Sequence, residues 1–453
     1  MLTELSAKNF KSWADIDQMR LAPITGLFGT NSSGKSSILQ LLLMLRQTAE
    51  STDRALTLDF GGERSLVQLG SFQDVVYKHD LDSGLSFELS WDFDEELEID
   101  DPEDPDKVLF RDDQMSLRCE IVARKDGLPR PSVVTYEFAD QVFTMQQKRD
   151  SASKFKLESE GGFTLKRTQG RAWELPSPTK CYGFPDQVFS YYQNAGFLAD
   201  LQLEFEQLFT RLFYLGPLRD FPKRVYSWSG AEPADMGQRG ERVIDALLAA
   251  RGRGKCINPG KHKRKRTLDE QIAFWLKELG LIHSFSVKRI SRNSNLYEVR
   301  VRKQATSSEV LITDVGFGVS QILPVIVLCY YVPEGSTIIL EQPEIHLHPL
   351  VQSGLADVFI DAIKVRGIQI LLESHSEHLL RRLQRRIAEE KLDRDSIALY
   401  FCDTDHGHSQ LSELDVDMFG NITNWPTDFF GDEFGEMKAM TEAAMHRKME
   451  EAG

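Results

Sequence analysis

The 453-residue sequence has no apolar run long enough to cross a bilayer: the longest, near Ile322 to Val332, falls well short of the roughly 20 residues a spanning helix needs. Cysteine is scarce. The five residues (Cys119, Cys181, Cys256, Cys329 and Cys402) are scattered, odd in number and nowhere at metal-ligand spacing, which argues against a disulfide framework or a zinc module and predicts a reduced, cytoplasmic chain. Positive charge is outweighed, with 54 Lys+Arg against 69 Asp+Glu and a formal net charge of −15. A surface that tracks nucleic acid over its whole extent is therefore excluded, although a local basic groove is not. The opening Met-Leu-Thr-Glu-Leu lacks the basic, apolar, small-residue order of a signal peptide. There is no internal repeat, and no sustained heptad run that would build long coiled-coil arms.

What the sequence does contain is Gly29-Thr30-Asn31-Ser32-Ser33-Gly34-Lys35-Ser36, directly after the apolar run Ile24-Thr25-Gly26-Leu27-Phe28. Glycines at this spacing let backbone N–H groups converge on phosphate oxygens, Lys35 can reach the β- and γ-phosphates, and the Ser36 hydroxyl can ligate Mg²⁺. A helix predicted over 36–47 starts at Ser36 and Ser37 and adds its positive dipole end to the anion site. Asn31, Ser32, Ser33, Gly34, Lys35, Ser36 and Ser37 are therefore the candidate nucleotide-binding residues.

Residues 1–20 read as a strand and turn, and 21–28 as a buried strand leading into the loop. Two strand-like runs follow at 74–77 and 85–89, and short antiparallel strands are expected between 108 and 175. The aromatic stripe at 186–213 has helical spacing and reads as core rather than as a base-stacking platform. Helices are expected at 240–250 and 267–280, the second capped by Thr267 with Glu270 three residues on. Strands at 284–290, 296–302 and 309–313 lead to a buried helix at 318–332. The order then becomes strand 337–340, helix 349–365, strand 369–372, helix 376–390 and strand 397–401, which predicts a parallel sheet with helices packed on it. This suggests a nucleotide-binding core in two pieces, residues 1–91 and 308–453, separated by an inserted β-rich and helical region, 92–307. That insertion holds an acidic run at 92–106, ten acids in fifteen residues, expected to be a disordered, self-repelling loop. It also holds a basic stretch, Lys255 and Lys261 to Arg266, open to two readings: a solvated loop or a contact with a phosphate backbone.

Three later segments complete the nucleotide reading. Thr337-Ile338-Ile339-Leu340-Glu341-Gln342-Pro343-Glu344 is an apolar strand ending in a carboxylate that can approach a Ser36-bound Mg²⁺. Leu371-Leu372-Glu373-Ser374-His375-Ser376 delivers a histidine to the C-terminal end of another apolar strand, where ligands bind in open α/β sheets. Asp314-Val315-Gly316-Phe317-Gly318-Val319-Ser320-Gln321 is a glycine-rich turn opening a helix, a second anion site that need not serve the nucleotide of its own chain.

The order and content of these segments resemble the ABC-type ATPases of the SMC and OLD (overcoming-lysogenization-defect) class. Lys8-Asn9-Phe10-Lys11-Ser12-Trp13 is similar to the class's opening, Gly29 to Ser36 to its Walker A loop, and Gly316 to Gln321 to its signature segment. Glu341 to Pro349 resembles Walker B with the D-loop, and Ser374-His375-Ser376 the switch-histidine loop. Tyr214 to Arg219 and Phe419 to Pro426 resemble a narrower bacterial subgroup of ATPases. The resemblance implies an α/β fold, an ABC-type P-loop ATPase head with a mixed sheet, an antiparallel β subdomain and a helical insertion. It implies ATP and Mg²⁺ as cofactors, with Ser36 and Glu341 at the metal and His375 on the γ-phosphate. It also implies a homodimer, or a higher homo-oligomer, in which Gly318 and nearby Ser320 cap the ATP held by the facing chain.

Two departures qualify that expectation. The class's Walker B ends Asp-Glu, and here those positions hold Glu341 and Gln342; glutamine can orient water but cannot take its proton. Either Glu344 substitutes, or hydrolysis is slow or partner-stimulated and the chain is a nucleotide-gated switch. The signature serine is replaced by Gly316, with Ser320 displaced. Gln73 and His79 are both candidates for the Q-loop position. Three functional readings follow: an ATPase that controls a separate effector such as a nuclease in anti-phage defence, a DNA-repair or chromosome-maintenance ATPase, and an ATP-locked scaffold. The TOPRIM nuclease of many OLD proteins is not expected, because only about fifty residues follow Cys402 and Asp403-Thr404-Asp405 reads as a surface turn.

Overall fold

In the computed structural model, residues 1–453 are described except 102–103, 150, 152, 171–173, 261–263, 427–428, 430–432 and 453. Two large sheets organise the chain. One has six strands in the order His408–Glu413, Ile397–Asp405, Ile24–Gly29, Gln369–Glu373, Thr337–Glu341 and Leu212–Leu215. Five of these run parallel and only the outer His408–Glu413 hairpin partner is antiparallel. The inner strands are apolar at nearly every position, as strands covered on both faces must be. The other sheet has seven antiparallel strands: Trp13–Arg20, Leu2–Phe10, Leu85–Asp101, Asp104–Ala123, Pro129–Phe138, Gln141–Gln147 and Phe155–Glu160.

Helix Lys35–Glu50 and helix Leu198–Thr210 share one apolar cluster with the seven-stranded sheet, against one face of the parallel sheet. Helices Val243–Gly252, Leu268–Glu278, Phe317–Tyr331, Pro349–Arg366 and Glu377–Ala388 build a second cluster on its other face. Alternation along each strand decides which face a residue serves: Leu27, Ile339 and Leu371 join the first cluster, Phe28, Leu340 and Leu372 the second. Buried Gln369 stitches the two sheets together. Its amide oxygen accepts from the Leu2 N–H (3.2 Å) and the Thr337 hydroxyl (3.0 Å), while its amide nitrogen donates to the carbonyls of Leu2 (2.6 Å) and Ala22 (3.3 Å).

The capping box expected at Thr267 and Glu270 is present. Three local expectations are corrected. Apart from residues 102–103, which lie outside the described residues, the acidic run lies in two paired antiparallel strands, Leu85–Asp101 and Asp104–Ala123, instead of a disordered loop. Its period-2 alternation buries Trp91 and Ile99, and Arg111 of the facing strand answers Glu98 at 2.5 Å. Residues 74–77 are not a strand, because Ser71 and Asp74 cap a helical turn, Phe72–Val75. The segment 186–213 is two helices, Asp186–Tyr191 and Leu198–Thr210, ending in the edge strand Leu212–Leu215.

Candidate functional site

Strand Ile24–Gly29 turns into the loop 29–36 and then into helix Lys35–Glu50. Two glycines are required here. At Gly29 (φ 129°) a Cβ would lie 1.9 Å from the Cys402 carbonyl oxygen. At Gly34 (φ 91°) it would meet Ser409 Oγ, Ser12 Oγ and Trp13 Nε1 at 2.6–2.8 Å. The Trp13 indole donates to the Gly34 carbonyl at 3.0 Å, so the turn between the first two strands braces the loop from outside.

Lys35 is buried, and its Nζ donates to the carbonyls of Gly29 (3.1 Å) and Thr30 (2.6 Å). Burial lowers its pKa, against the opposing charge of Glu373. Asn31 and Ser32 are exposed at the loop crest, and the Ser33 hydroxyl donates back to the Thr30 carbonyl at 2.9 Å. The Ser37 N–H closes the first turn on the Gly34 carbonyl at 3.0 Å. The Ser36 hydroxyl donates to Glu373 Oε2 at 2.6 Å.

This last contact differs from the sequence expectation, which paired Ser36 with Glu341. Strand Gln369–Glu373 lies between the strand that carries the loop and the strand that carries Glu341. Glu373 is in register with Leu27 on one side and Glu341 on the other, so the two carboxylates lie side by side on the face that helix Lys35–Glu50 covers. Glu341 instead accepts from the Tyr214 hydroxyl at 3.0 Å. Burial, and then the Glu373 charge, push its carboxyl up to about 7. Arg219, also buried, donates to the Glu341 backbone carbonyl at 3.3 Å, and burial lowers its pKa to about 10.

The turn after Glu341 is tied to the histidine loop. Gln342 is left-handed (φ 43°) and its N–H donates to the Glu373 carbonyl at 2.9 Å. Buried Glu344 accepts the His375 backbone N–H on Oε1 at 2.7 Å, whereas its Oε2 has no partner among the described residues. Burial raises the Glu344 carboxyl. His375 is exposed at the strand end, its ring beside the Gly29 backbone. Partial burial and the Lys35 charge lower its pKa.

Lys35, Ser36, Glu341, Gln342, Glu344 and His375 thus surround the C-terminal ends of three adjacent parallel strands. Gly318 and Ser320 sit elsewhere, at the start of helix Phe317–Tyr331, where Gly318 neighbours Leu347 and Leu281. The Ser320 side chain is buried and donates to the Phe317 carbonyl at 2.7 Å; Gly316 and Phe317 are the exposed residues of that turn. Of the two Q-loop candidates, the His79 ring bonds the Gln73 carbonyl at 2.9 Å, and both residues are exposed.

Glu373, Tyr214 and Arg219 are site residues that sequence reasoning did not assign. A signal for Glu373 existed, since it ends an apolar strand just as Glu341 does. Tyr214 and Arg219 carry no such signal, because only tertiary structure brings them to Glu341.

Residues 264–381 match the family model described as "AAA domain, putative AbiEii toxin, Type IV TA system", a span that includes Glu341, Glu373 and His375 but not the loop 29–36. Residues 392–440 match "Protein of unknown function (DUF3696)". No curated protein matches the chain. Among solved structures, the SMC head domain from Thermotoga maritima is similar at 10% identity and TM-score 0.42, covering 92% of this chain and 99% of its own. An SmcHead bound to the C-winged helix domain of ScpA gives 12% identity and TM-score 0.44, covering 92% and 98%. The Smc head domain with an extended coiled coil bound to the C-terminal domain of ScpA derived from Pyrococcus furiosus gives 10% and 0.41, covering 91% and 96%.

Proposed function

We propose that this chain is an ATPase head of the ABC type that binds ATP with Mg²⁺ at the loop 29–36 and hydrolyses it slowly. A second copy would face it, and its nucleotide state would control a separate effector protein. One observation carries the reading: the phosphate loop, three buried carboxylates and a histidine gather at the same end of one parallel sheet. The AAA family match over the acid and histidine segments supports it.

The side chains suit the ligands. Ser36 and the carboxylates of Glu373 and Glu341 are hard oxygen donors of the kind Mg²⁺ takes. Held there, the ion would supply positive charge against the phosphates. Lys35 would exchange two neutral loop carbonyls for anionic phosphate oxygens, gaining an ion pair with hydrogen bonds. His375, largely neutral at pH 7 because its pKa is lowered, can offer a ring N–H to the terminal phosphate. Glu344 has a buried, unpartnered oxygen and a raised pKa, the two properties a proton acceptor for water needs near neutrality. Gln342 can hold that water but not deprotonate it. The exposed Gly316–Phe317 turn is the surface through which a second copy would approach.

Release of phosphate from ATP tests this. Lys35→Ala should abolish turnover and nucleotide binding while leaving the fold intact, and Glu344→Gln should bind ATP but turn over more slowly by about a hundredfold or more, the usual scale for a lost general base. Wild-type turnover no higher than that of Lys35→Ala, with or without a partner, would leave only the scaffold reading. Control of a nuclease or toxin-like effector in phage defence is the finer proposal, and co-purification of a separate protein that dissociates with ATP state is its test. The DNA-acting alternative rests on Lys261 to Arg266. Of these, residues 261–263 lie outside the described residues, Arg264 pairs with Glu270 at 3.1 Å, and Arg266 covers the Phe274 ring at 3.9 Å. Salt-dependent duplex binding that disappears on neutralising that stretch would favour it.

A further inference from the structure

We propose that the cleft between strand Leu85–Asp101 and helix Leu198–Thr210 is a docking site for a lysine- or arginine-bearing peptide segment of another protein. The cleft reaches the start of strand Thr337–Glu341, at the opposite end from Glu341, so the inference goes beyond the nucleotide site and does not depend on it. Its volume is about 530 Å³, within the range of ligand sites. The indole of Trp91 forms part of its wall. Trp91 is 2% exposed and packs its ring on Phe205 of the helix, with centroids 6.2 Å apart. Its Nε1 nevertheless has no partner among the described residues. A buried N–H without an acceptor is costly, and an acceptor arriving in the cleft removes that cost. The strand is also irregular here. Asp92 pairs with Gln114 and Leu97 with Asp112, so residues 93–96 stand opposite Asp113 alone. Such a bulge turns side chains out of the ladder, and this one brings Phe93 and Glu95 to the rim beside Trp91.

The rim is acidic. Asp92, Glu95 and Glu204 line it and form no ion pair among the described residues, whereas Glu96 is answered by Arg111 at 3.6 Å. The basic groups on the wall are Arg211 and the Met1 amine, which already donates to the Asp92 carbonyl. Burial raises the Asp92 and Glu204 carboxyls, so both hold their charge at a cost that a bound cation relieves. Together these features select the ligand class. A metal ion or a polyamine answers the acids but offers the indole no acceptor. A nucleic-acid strand offers acceptors but brings negative charge to a negative rim. A basic peptide has both: backbone carbonyls for Trp91, and ammonium or guanidinium groups for the carboxylates. Leu97 and Leu208, also on the wall, give the methylene stems of such side chains an apolar surface.

The test uses the full chain and a fluorescein-labelled hexapeptide of alternating glycine and lysine, followed by fluorescence anisotropy. The peptide should bind at low salt and be released as salt rises, and the same peptide with glutamate in place of lysine should not bind. Glu95→Lys, a change at an exposed position, should weaken binding about tenfold, since it turns an attraction into a repulsion. Trp91→Phe keeps a ring against Phe205 and removes the N–H; it should weaken binding about two- to tenfold, the scale of one neutral hydrogen bond. The Trp91 indole proton, assigned in an NMR spectrum by its absence from that variant, should shift downfield with the peptide and stay in place with spermidine, which has charge but no carbonyl. Glu95→Lys carries the test if Trp91→Phe does not fold. Failure of the lysine peptide to bind wild type, or equal affinity for wild type and Glu95→Lys, would overturn the proposal. So would spermidine or a single-stranded oligonucleotide that shifts the indole proton as the peptide does.

Discussion

Replacing Glu341 by glutamine should stabilise the nucleotide-free chain at high pH and leave it unchanged at low pH. The Glu341 carboxyl is pushed from its ordinary 4.5 up to about 7, first by burial and then by the charge of Glu373. A raised acid pKa means that, between those two values, the folded chain holds a proton the unfolded chain has released. The folded state is therefore favoured least, as far as this group is concerned, once the pH exceeds 7, and loses stability steadily on the way up from 4.5. A displacement from 4.5 to about 7, at about 1.4 kcal/mol per pH unit, amounts to about 3 kcal/mol. Glutamine has the shape of the protonated acid and can still accept from the Tyr214 hydroxyl, so it removes the penalty without opening a cavity. Urea unfolding without nucleotide or divalent ions, at several pH values between 5 and 8, measures the difference. The difference between the two curves therefore reports Glu341 together with its charge coupling to Glu373. A gain of about 3 kcal/mol at pH 8 that shrinks to about 1 kcal/mol at pH 5 is expected. Parallel pH curves for the two proteins, or a loss of stability at pH 8, would refute the argument that burial beside Glu373 drives the shift.

Gly34→Ala should lower the melting temperature and weaken nucleotide binding together, because φ 91° and three atoms within 2.8 Å of the new Cβ force the loop off its brace; unchanged analogue affinity would place the loop's rigidity elsewhere. Gln342→Glu should alter turnover by more than it alters the ATP dissociation constant, and identical turnover would remove Gln342 from any role in positioning water. Gln369→Leu should destabilise the chain by about 2–4 kcal/mol in chemical denaturation, because buried N–H and C=O groups of Leu2 lose their partner at the seam between the sheets; a cost below 0.5 kcal/mol, the scale of an ordinary surface change, would mean that water replaces the amide there.

The loop-bearing strand, its helix and the strand–helix alternation of the last third were legible because each is a local pattern. An apolar run bounded by turn residues identifies a strand, and a phosphate loop announces both its neighbours. The acidic run was misread because net charge was weighed above alternation: Leu97 and Ile99 carry the period-2 signal, and Arg111, which pairs with Glu96 and Glu98, comes from the next strand. The carboxylate that bonds Ser36 was missed for a different reason. Strand order is a property of the whole sheet, and nothing in the two segments ending at Glu341 and Glu373 says which inserts next to Ile24–Gly29. The same limit hid Tyr214 and Arg219, which reach Glu341 from an edge strand and the segment after it, more than a hundred residues earlier in the chain.

The insertion of Gln369–Glu373 between the other two strands has a consequence for hydrolysis. It separates Glu341 from the strand that carries the loop and brings Glu373 beside Ser36, so a carboxylate stands next to the loop although position 342 is an amide. The buried acids divide the work by position: Glu373 beside Ser36, Glu341 held by Tyr214, and Glu344 locked by one oxygen to the His375 N–H with the other left open. A carboxylate whose open oxygen is buried and whose other oxygen positions the histidine backbone links proton acceptance to the placement of His375. Any motion that withdraws the histidine loop then also disturbs Glu344. On the proposed reading, a facing copy or effector that presses on that loop changes turnover without touching nucleotide, which is how a slow ATPase of this geometry would be made to wait for its partner.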